Sequence, residues 1–361
     1  MTTISPDTGW EVPAAGAARF SWRYDDSRAR LLALYQKGKD KQWDATTRID
    51  WSLELDRDNP MSFPIEFIPI QGSRTWERIR TDPAEVARLR RHLAGWQISQ
   101  FLHGEQGAMI CSARIVESVP DLDSKFYAAT QTMDEARHAE VYSRLLADKI
   151  GLSYPINTHL QNLLAQTLAD PRWDMPYLGM QVLIEGLALA AFGTIRDLTG
   201  ASLIKQLIAY VMQDEARHVA FGRMALQDAY RELSDRERAE REEFVVAACY
   251  LMRDRFRQEE VWERLGYDVA DCVEAVENSP TGRIYRNLLF TRIVPCIKDI
   301  GLWGEKIQKA YADMGVLDYA AVALDGLMSA DERTAEEIDE DKRDREARER
   351  EVAGTVALGS D

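Results

Sequence analysis

The chain has 361 residues, 45% of them hydrophobic and 29% charged, enough to build one large core. Its formal charge of −15 argues against nucleic acid and anionic membranes as partners, because no basic cluster is present to neutralise phosphate. Four scattered cysteines (Cys111, Cys249, Cys272, Cys296) show no CxxC spacing and read as reduced thiols. No basic, apolar leader opens the sequence and no stretch approaches the ~20 apolar residues of a membrane helix, so a cytoplasmic protein is expected.

Residues 1–82 are mixed, Trp-bearing and punctuated by turn signals such as "RDNPMSFP". They are expected to wrap as a leader around the main body, with a short helix over 27–41. From 83 the character changes. "PAEVARLRRHLAGWQISQFLHGEQGAMICSARIVESV" has no internal proline and keeps helical periodicity until Pro120 stops it. A second helix is expected over 123–150, ending at Gly151, then a short one over 158–169. "MPYLGMQVLIEGLALAAFGTIRDL" makes a third long helix and 202–233 a fourth. "DRERAEREEFVVAACYLMRDRFR" makes a fifth, capped at Ser234/Asp235. Strand signals are nearly absent, so the fold class is all-α. The expected organisation is a leader (1–82), a helical bundle (83–259), a cap of short helices (260–329) and a charged tail (330–361). Residues 331–351 hold 11 acids and 6 bases, which reads as a disordered or frayed solvated run.

Two stretches carry the chemistry. "MDEARHAEVY" starts at Met133 and "QDEARHVAFG" at Gln213, in a chain with five histidines. Glu135 and His138 stand at i and i+3, as do Glu215 and His218, which puts each pair on one helix face. One Glu-x-x-His is weak evidence. The preceding helices strengthen it, because Glu105 and Glu185 stand 30 residues before Glu135 and Glu215. Glu105 lies in a stripe with Ile98, Phe101, Ala108, Met109 and Ser112. Glu185 lies in one with Leu178, Val182, Ala188, Leu189 and Phe192, Gln181 being the polar exception. Carboxylates drawn into such stripes cost several kcal/mol each unless compensated. Two divalent cations would balance four glutamates, and the donor set is the dinuclear arrangement of four-helix bundles. Oxygen-rich, nitrogen-poor ligation suits two iron ions, or a manganese/iron pair, better than copper or zinc.

On these six residues the chain resembles the ferritin-like diiron-carboxylate superfamily, over about 85–232. The doubled "DEARH" is similar to the motifs of bacterial multicomponent monooxygenase hydroxylase chains and, less closely, to arylamine N-oxygenases. The resemblance implies a ferritin-like four-helix bundle and a non-haem diiron oxygenase or oxidase that uses O2 to hydroxylate or N-oxygenate a small organic molecule. It implies Asp134 and Asp214 as acceptors that orient the ligand histidines, with Arg137 and Arg217 in the same network. Leu189 stands where the monooxygenases place a threonine, and Val211 where the arylamine N-oxygenases carry an extra histidine. "EARHAEVY" is similar to radical subunits of ribonucleotide reductase and would make Tyr142 a redox residue; a core tyrosine is the competing reading. A related radical-generating or ligand-binding oxidase is therefore the alternative. Iron storage fits less well, given the long extensions on both sides of the bundle.

Ligand spacing places Phe101, Ala108, Met109, Gln131, Gln181, Leu189, Phe192 and Val211 on a pocket wall, mostly apolar as for a small organic substrate. Glycines at 104, 107, 179, 186 and 193 within the ligand helices signal close packing, a π-bulge or room for a substrate. With no nucleotide-binding glycine motif and no iron–sulfur cysteine set, an external electron donor is expected. Bundles of this type often pair along an outer helix, which makes a homodimer the expected assembly.

Overall fold

The computed structural model describes residues 17–21 and 28–358, so the first part of the expected leader lies outside the described residues. Fourteen α-helices and no strand occur among the described residues. Helix α1 (Ala29–Asp40) and the short α2 (Arg74–Ile79) belong to the leader. Then comes α3 (Pro83–Ser118), for which Asp82 supplies the N-cap, accepting from the amides of Ala84 and Glu85, with Pro83 preset in the first turn. Helix α4 (Leu122–Arg144) starts on the Asp121 cap and widens into a π-helical turn over Leu145–Ile150. Gly151, at φ 67°, ends it in the left-handed region where glycine is unstrained.

Helix α5 (Thr158–Ala169) leads to the third bundle element, a π-helical stretch over Tyr177–Ile184 that runs into α6 (Glu185–Leu198). Helix α7 (Ser202–Ala229) returns beside it, and α8 (Asp235–Asp254) starts at a reciprocal Ser234/Glu237 capping box. The bundle is thus two hairpins, α3/α4 and α6/α7, facing one another. Each contributes a lone glutamate from its first helix and a Glu-x-x-His from its second.

Short helices α9 (Glu259–Leu265), α10 (Val269–Asn278), α11 (Pro280–Leu288), α12 (Ile293–Asp299) and α13 (Glu305–Asp313) form the cap. The cap is not an independent body. Leu31 and Met61 of the leader, Phe192 and Leu207 of the bundle, and Ile293 and Tyr311 of the cap share one core. A second cluster around Trp76, Trp96, Tyr154 and Trp262 joins the leader and α9 to the start of α3.

Two expectations need correction. The charged segment expected to be a disordered or frayed solvated run is helix α14 (Leu324–Leu358), packed along α7. Its acids at 332, 336 and 339 recur at helical spacing and meet Lys37 (2.7 Å), Lys41 (3.1 Å) and Arg48 (2.7 Å) of the leader. Asp331 is buried between Arg196 and Arg292, at 3.2 and 2.6 Å. Composition alone could not show that the bases meeting these leader-facing acids come from 291 to 295 residues away. The second correction concerns apolar length: the helix over Tyr177–Leu198 is long and apolar enough to cross a membrane, yet it is the buried heart of the bundle.

Candidate metal centre

Glu105 on α3, Glu135 and His138 on α4, Glu185 at the start of α6, and Glu215 and His218 on α7 all converge and are all buried. Their donor atoms form two overlapping groups. Glu105, Glu135, His138 and Glu215 bring four donors within 4.8 Å of one another, as do Glu135, Glu185, Glu215 and His218. Glu135 and Glu215 belong to both groups, so each carboxylate can bridge two ions.

The imidazoles are aimed by their outer nitrogens. His138 turns Nδ1 to Glu215 (3.0 Å), Glu105 (3.3 Å) and Glu135 (3.4 Å), while Nε2 meets Asp214 at 3.0 Å. His218 turns Nδ1 to Glu135 (3.1 Å) and Glu215 (3.4 Å), while Nε2 meets Asp134 at 3.3 Å. The pairing crosses the bundle: the histidine of one "DEARH" bonds the aspartate of the other. An Nε2–H donated to carboxylate fixes the tautomer that leaves the Nδ1 lone pair facing inward.

The arginines expected in this network are in it and buried. Arg137 spans Asp134 (2.5 Å) and Asp214 (2.8 Å); Arg217 bonds Asp214 and lies 3.9 Å from Asp134. The leader closes the network from outside. Gln42 donates to Asp134 and Trp43 donates its indole N–H to Asp214, both at 2.7 Å, and the Arg137 guanidinium lies 4.7 Å from the Trp43 ring centre. Sequence reasoning missed Gln42 and Trp43; the Trp content of the leader was the one available signal.

Does this donor set fit a pair of metal ions? Glu185 Oε2 is buried without a hydrogen-bond partner, and Glu135 Oε2, both oxygens of Glu215 and His218 Nδ1 make no well-aligned hydrogen bond although they face one another and His138 at 3.0–3.4 Å. Orphaned donors and acceptors of this kind are costly unless something binds them. Charge agrees. Burial, then repulsion from Glu215, pushes Glu105 well above the usual carboxylate range; burial, then Glu215 and Glu135, does the same to Glu185. For Glu135 burial opposes ionisation, but His218 and His138 outweigh it and hold the carboxyl low. Both histidines are held well above their ordinary value, burial being outweighed by Asp214 and the glutamates at His138, and by Glu135 and Glu215 at His218. The cluster favours positive charge, which two divalent ions would supply.

Of the expected pocket wall, Phe101, Ala108 and Phe192 border a cavity of about 30 Å³ that reaches Glu105, Glu185 and Glu215. The other five do not border it. Gln131 and Gln181 are buried beside the ligands instead. Gln131 donates to Glu135 (3.0 Å) and Glu185 (2.8 Å), and the Gln181 amide fits the carbonyls of Pro176 and Tyr177, 2.9 and 3.3 Å away, in the π-helical stretch. Leu189 and Val211 are sealed in the core, and Met109 is partly exposed. Ligand spacing gave a helix face but not which neighbour covers it. Missed liners include Ile184 and Arg255.

The glycines divide in the same way. A Cβ at Gly107 would meet Leu164 at 2.6 Å, and one at Gly179 would strike Thr167, so both mark close helix approach; a Cβ at Gly104 would meet nothing within 4 Å. Tyr142 is fully buried against Phe101 and Phe192, its hydroxyl without a partner. Burial, then Glu105, Glu215 and Glu135, pushes its phenol well up.

A family model described as P-aminobenzoate N-oxygenase AurF matches residues 25–301, a span that includes all six glutamate and histidine positions. No curated protein matches the chain. Similar solved structures include a valine-to-isoleucine mutant of an R2-like ligand-binding oxidase with anaerobically reconstituted Mn/Fe cofactor, at 18% identity, covering 77% of this chain and 96% of that one with a TM-score of 0.47. A glycine-to-leucine mutant of an R2-like ligand-binding oxidase, also with anaerobically reconstituted Mn/Fe cofactor, is similar at 19% identity, 78% and 96% coverage and a TM-score of 0.47.

Proposed function

Since the chain belongs to the family of P-aminobenzoate N-oxygenase AurF and is an O2-dependent diiron oxygenase or oxidase, we propose that Glu105, Glu135, His138, Glu185, Glu215 and His218 hold its two metal ions and that it oxygenates a small organic substrate. The single observation that carries this reading is the pair of buried four-donor groups that share Glu135 and Glu215. Bound iron would supply the reduction of O2, which no side chain of this chain can perform.

The chain's own residues do the rest. Asp134 and Asp214 hold the histidines in one tautomer. Gln131 donates to Glu135 and Glu185 and holds both in place. Phe101, Ala108 and Phe192 keep water away from the face where the substrate would lie, which favours reaction with substrate over wasteful release. N-oxygenation of an amine is the reaction the family favours, with Val211 in place of the extra histidine. Electrons would come from an external donor protein or from the substrate; a cytoplasmic homodimer is the assembly we expect.

The test is to load the protein anaerobically with Fe(II), add O2, and follow oxygen consumption and product mass with p-aminobenzoate and with its non-amine analogue benzoate. Oxygen transferred to the amine, and lost in Glu105→Ala, supports the reading. Iron loading with no oxygen transferred to any amine would contradict N-oxygenation. A second reading rests on the unpartnered Tyr142 hydroxyl: a radical-generating oxidase would show a tyrosyl radical signal after O2 exposure that Tyr142→Phe abolishes.

A further inference from the structure

The cavity beside the cluster is too small for an organic molecule. Its volume of about 30 Å³ holds about two waters, whereas benzene occupies a dry cavity of about 150 Å³. An oxygenase of organic substrates must therefore open one wall. Apart from Leu160 on α5, the helical liners stand on α3, on the π-helical stretch with α6, or on α7. Those elements carry Glu105, Glu185 and Glu215, so moving them would move the metal-binding carboxylates. The remaining two liners, Arg255 and Phe256, come from a single 3-10 turn between α8 and α9 that carries no metal-binding residue.

A larger cavity of about 160 Å³ shares two liners with the inner one, Phe256 and Gln97. It is apolar along Phe63, Ile68, Leu93, Ile195 and Tyr285. A third cavity, of about 200 Å³, also borders Phe256, together with Arg257, Val276 and Arg286. A core ring normally touches neighbours all round. Phe256, only 6% exposed, instead adjoins three unfilled spaces. The backbone beneath it is fixed. Trp262 donates its indole N–H to the Arg257 carbonyl at 2.7 Å, and Arg257 pairs with Glu277 at 2.7 Å. The turn ends at Gln258 with φ 57°, a sparsely populated conformation for a residue with a side chain. What can move is the ring itself, by rotating about its side-chain bonds into space already empty. From α3, Gln97 is half-buried and its amide enters no hydrogen bond among the described residues, so nothing ties it in place.

We propose that Phe256 and Gln97 form the gate through which the organic substrate reaches the metal cluster, and that Phe256 is a specificity-determining residue because its ring sets the bulk that can pass. With the ring turned aside, the outer and inner cavities join into one channel. The body of the substrate then lies along Phe63, Ile195 and Tyr285 while its reacting end reaches Glu105, Glu185 and Glu215. With the ring in place the inner cavity is closed, and the reacting face stays dry between turnovers. This proposal rests on the oxygenase reading above for what happens to the substrate, but passage through the gate is measured without turnover.

The experiment reads arrival at the metals. The full chain is loaded with Fe(II) under anaerobic conditions and its metal content checked by elemental analysis. Fluorine NMR relaxation of fluorobenzene and of fluoronaphthalene is then compared with that in metal-free protein, because paramagnetic iron speeds relaxation only of a probe that comes close to it. Fluorobenzene is expected to show an iron-dependent enhancement in the wild type that rises several-fold in Phe256→Ala and falls to the metal-free level in Phe256→Trp, with metal content unchanged. Fluoronaphthalene, with its second ring, is expected to show an enhancement only in Phe256→Ala. Should Phe256→Ala fail to fold, Gln97→Ala widens the same threshold from α3 and Gln97→Phe narrows it, with the same two directions expected. No enhancement in any iron-loaded form, or the same enhancement in all of them, overturns this proposal alone. A chain that takes up no iron overturns the oxygenase reading and the gate with it. Enhancements that follow the variants in a protein that consumes no O2 overturn the oxygenase reading and leave the gate standing.

Discussion

The two sides of the metal cluster are built on opposite rules. Toward the leader, the charged groups are paired: each ligand histidine on an aspartate, the aspartates on Arg137 and Arg217, and Gln42 and Trp43 over them. Toward α8 and the cap, the cavity wall is mostly apolar, a glycine faces open space, and Arg255 makes no ion pair among the described residues. The first side fixes geometry and the second leaves room. A site that must hold metal ions rigidly and still admit an organic molecule needs both, and the bundle separates them by face.

The comparison can be broken most severely from the ligand side. Glu215→Ala removes a carboxylate common to both donor groups, so metal content is expected to fall to near zero, whereas Glu105→Ala touches one group and should leave part of it. Elemental analysis of the purified variants checks this, and equal retention of metal in both would contradict the shared role. Next in size is Asp214→Ala, which leaves His138, Arg217, Arg137 and Trp43 without their common acceptor. Stripping the partner from buried charge should destabilise the fold by about 3–5 kcal/mol and weaken metal binding by roughly 10–100-fold. Denaturant unfolding and metal titration read the two effects.

A pair of glycines sharpens the contrast between faces. Gly107→Ala drives a Cβ into Leu164 and should cost about 1–3 kcal/mol on denaturant unfolding. Gly104→Leu, three residues away, points into open space and should leave stability and metal content close to wild type while lowering affinity for organic ligands. If Gly104→Leu destabilised as much as Gly107→Ala, the open face would not be a ligand face. The smallest expected change is Trp43→Phe, which keeps the ring over Arg137 and loses one hydrogen bond to Asp214. That should cost about 1 kcal/mol, visible as a modest fall in Tm.

What was legible in the sequence follows from how local the signal is. Glu-x-x-His pairs, the helix cap at Ser234 and the stop at Gly151 are written within a turn or two of the chain, and the six clustered residues came with them. The crosswise pairing of Asp134 and Asp214 was legible through resemblance. Partners distant in sequence were not. The acids of α14 look unsatisfied until Lys37, Lys41 and Arg48 are seen beside them. Arg255 looks like one more charge at the end of "YLMRDRFR" until its burial is known. Met109, Leu189 and Val211 were assigned to the pocket because spacing fixes a helix face; which part of that face meets open space depends on the π-helical stretch before Glu185 and on the cap.

The most direct test of the central claim is the number of metal ions per chain after anaerobic loading with Fe(II), measured by elemental analysis on the wild type and on Glu215→Ala. Two ions in the wild type and near none in the variant are what the shared carboxylates predict. A wild type that takes up no iron would contradict the account and leave the doubled "DEARH" as a buried salt-bridge scaffold.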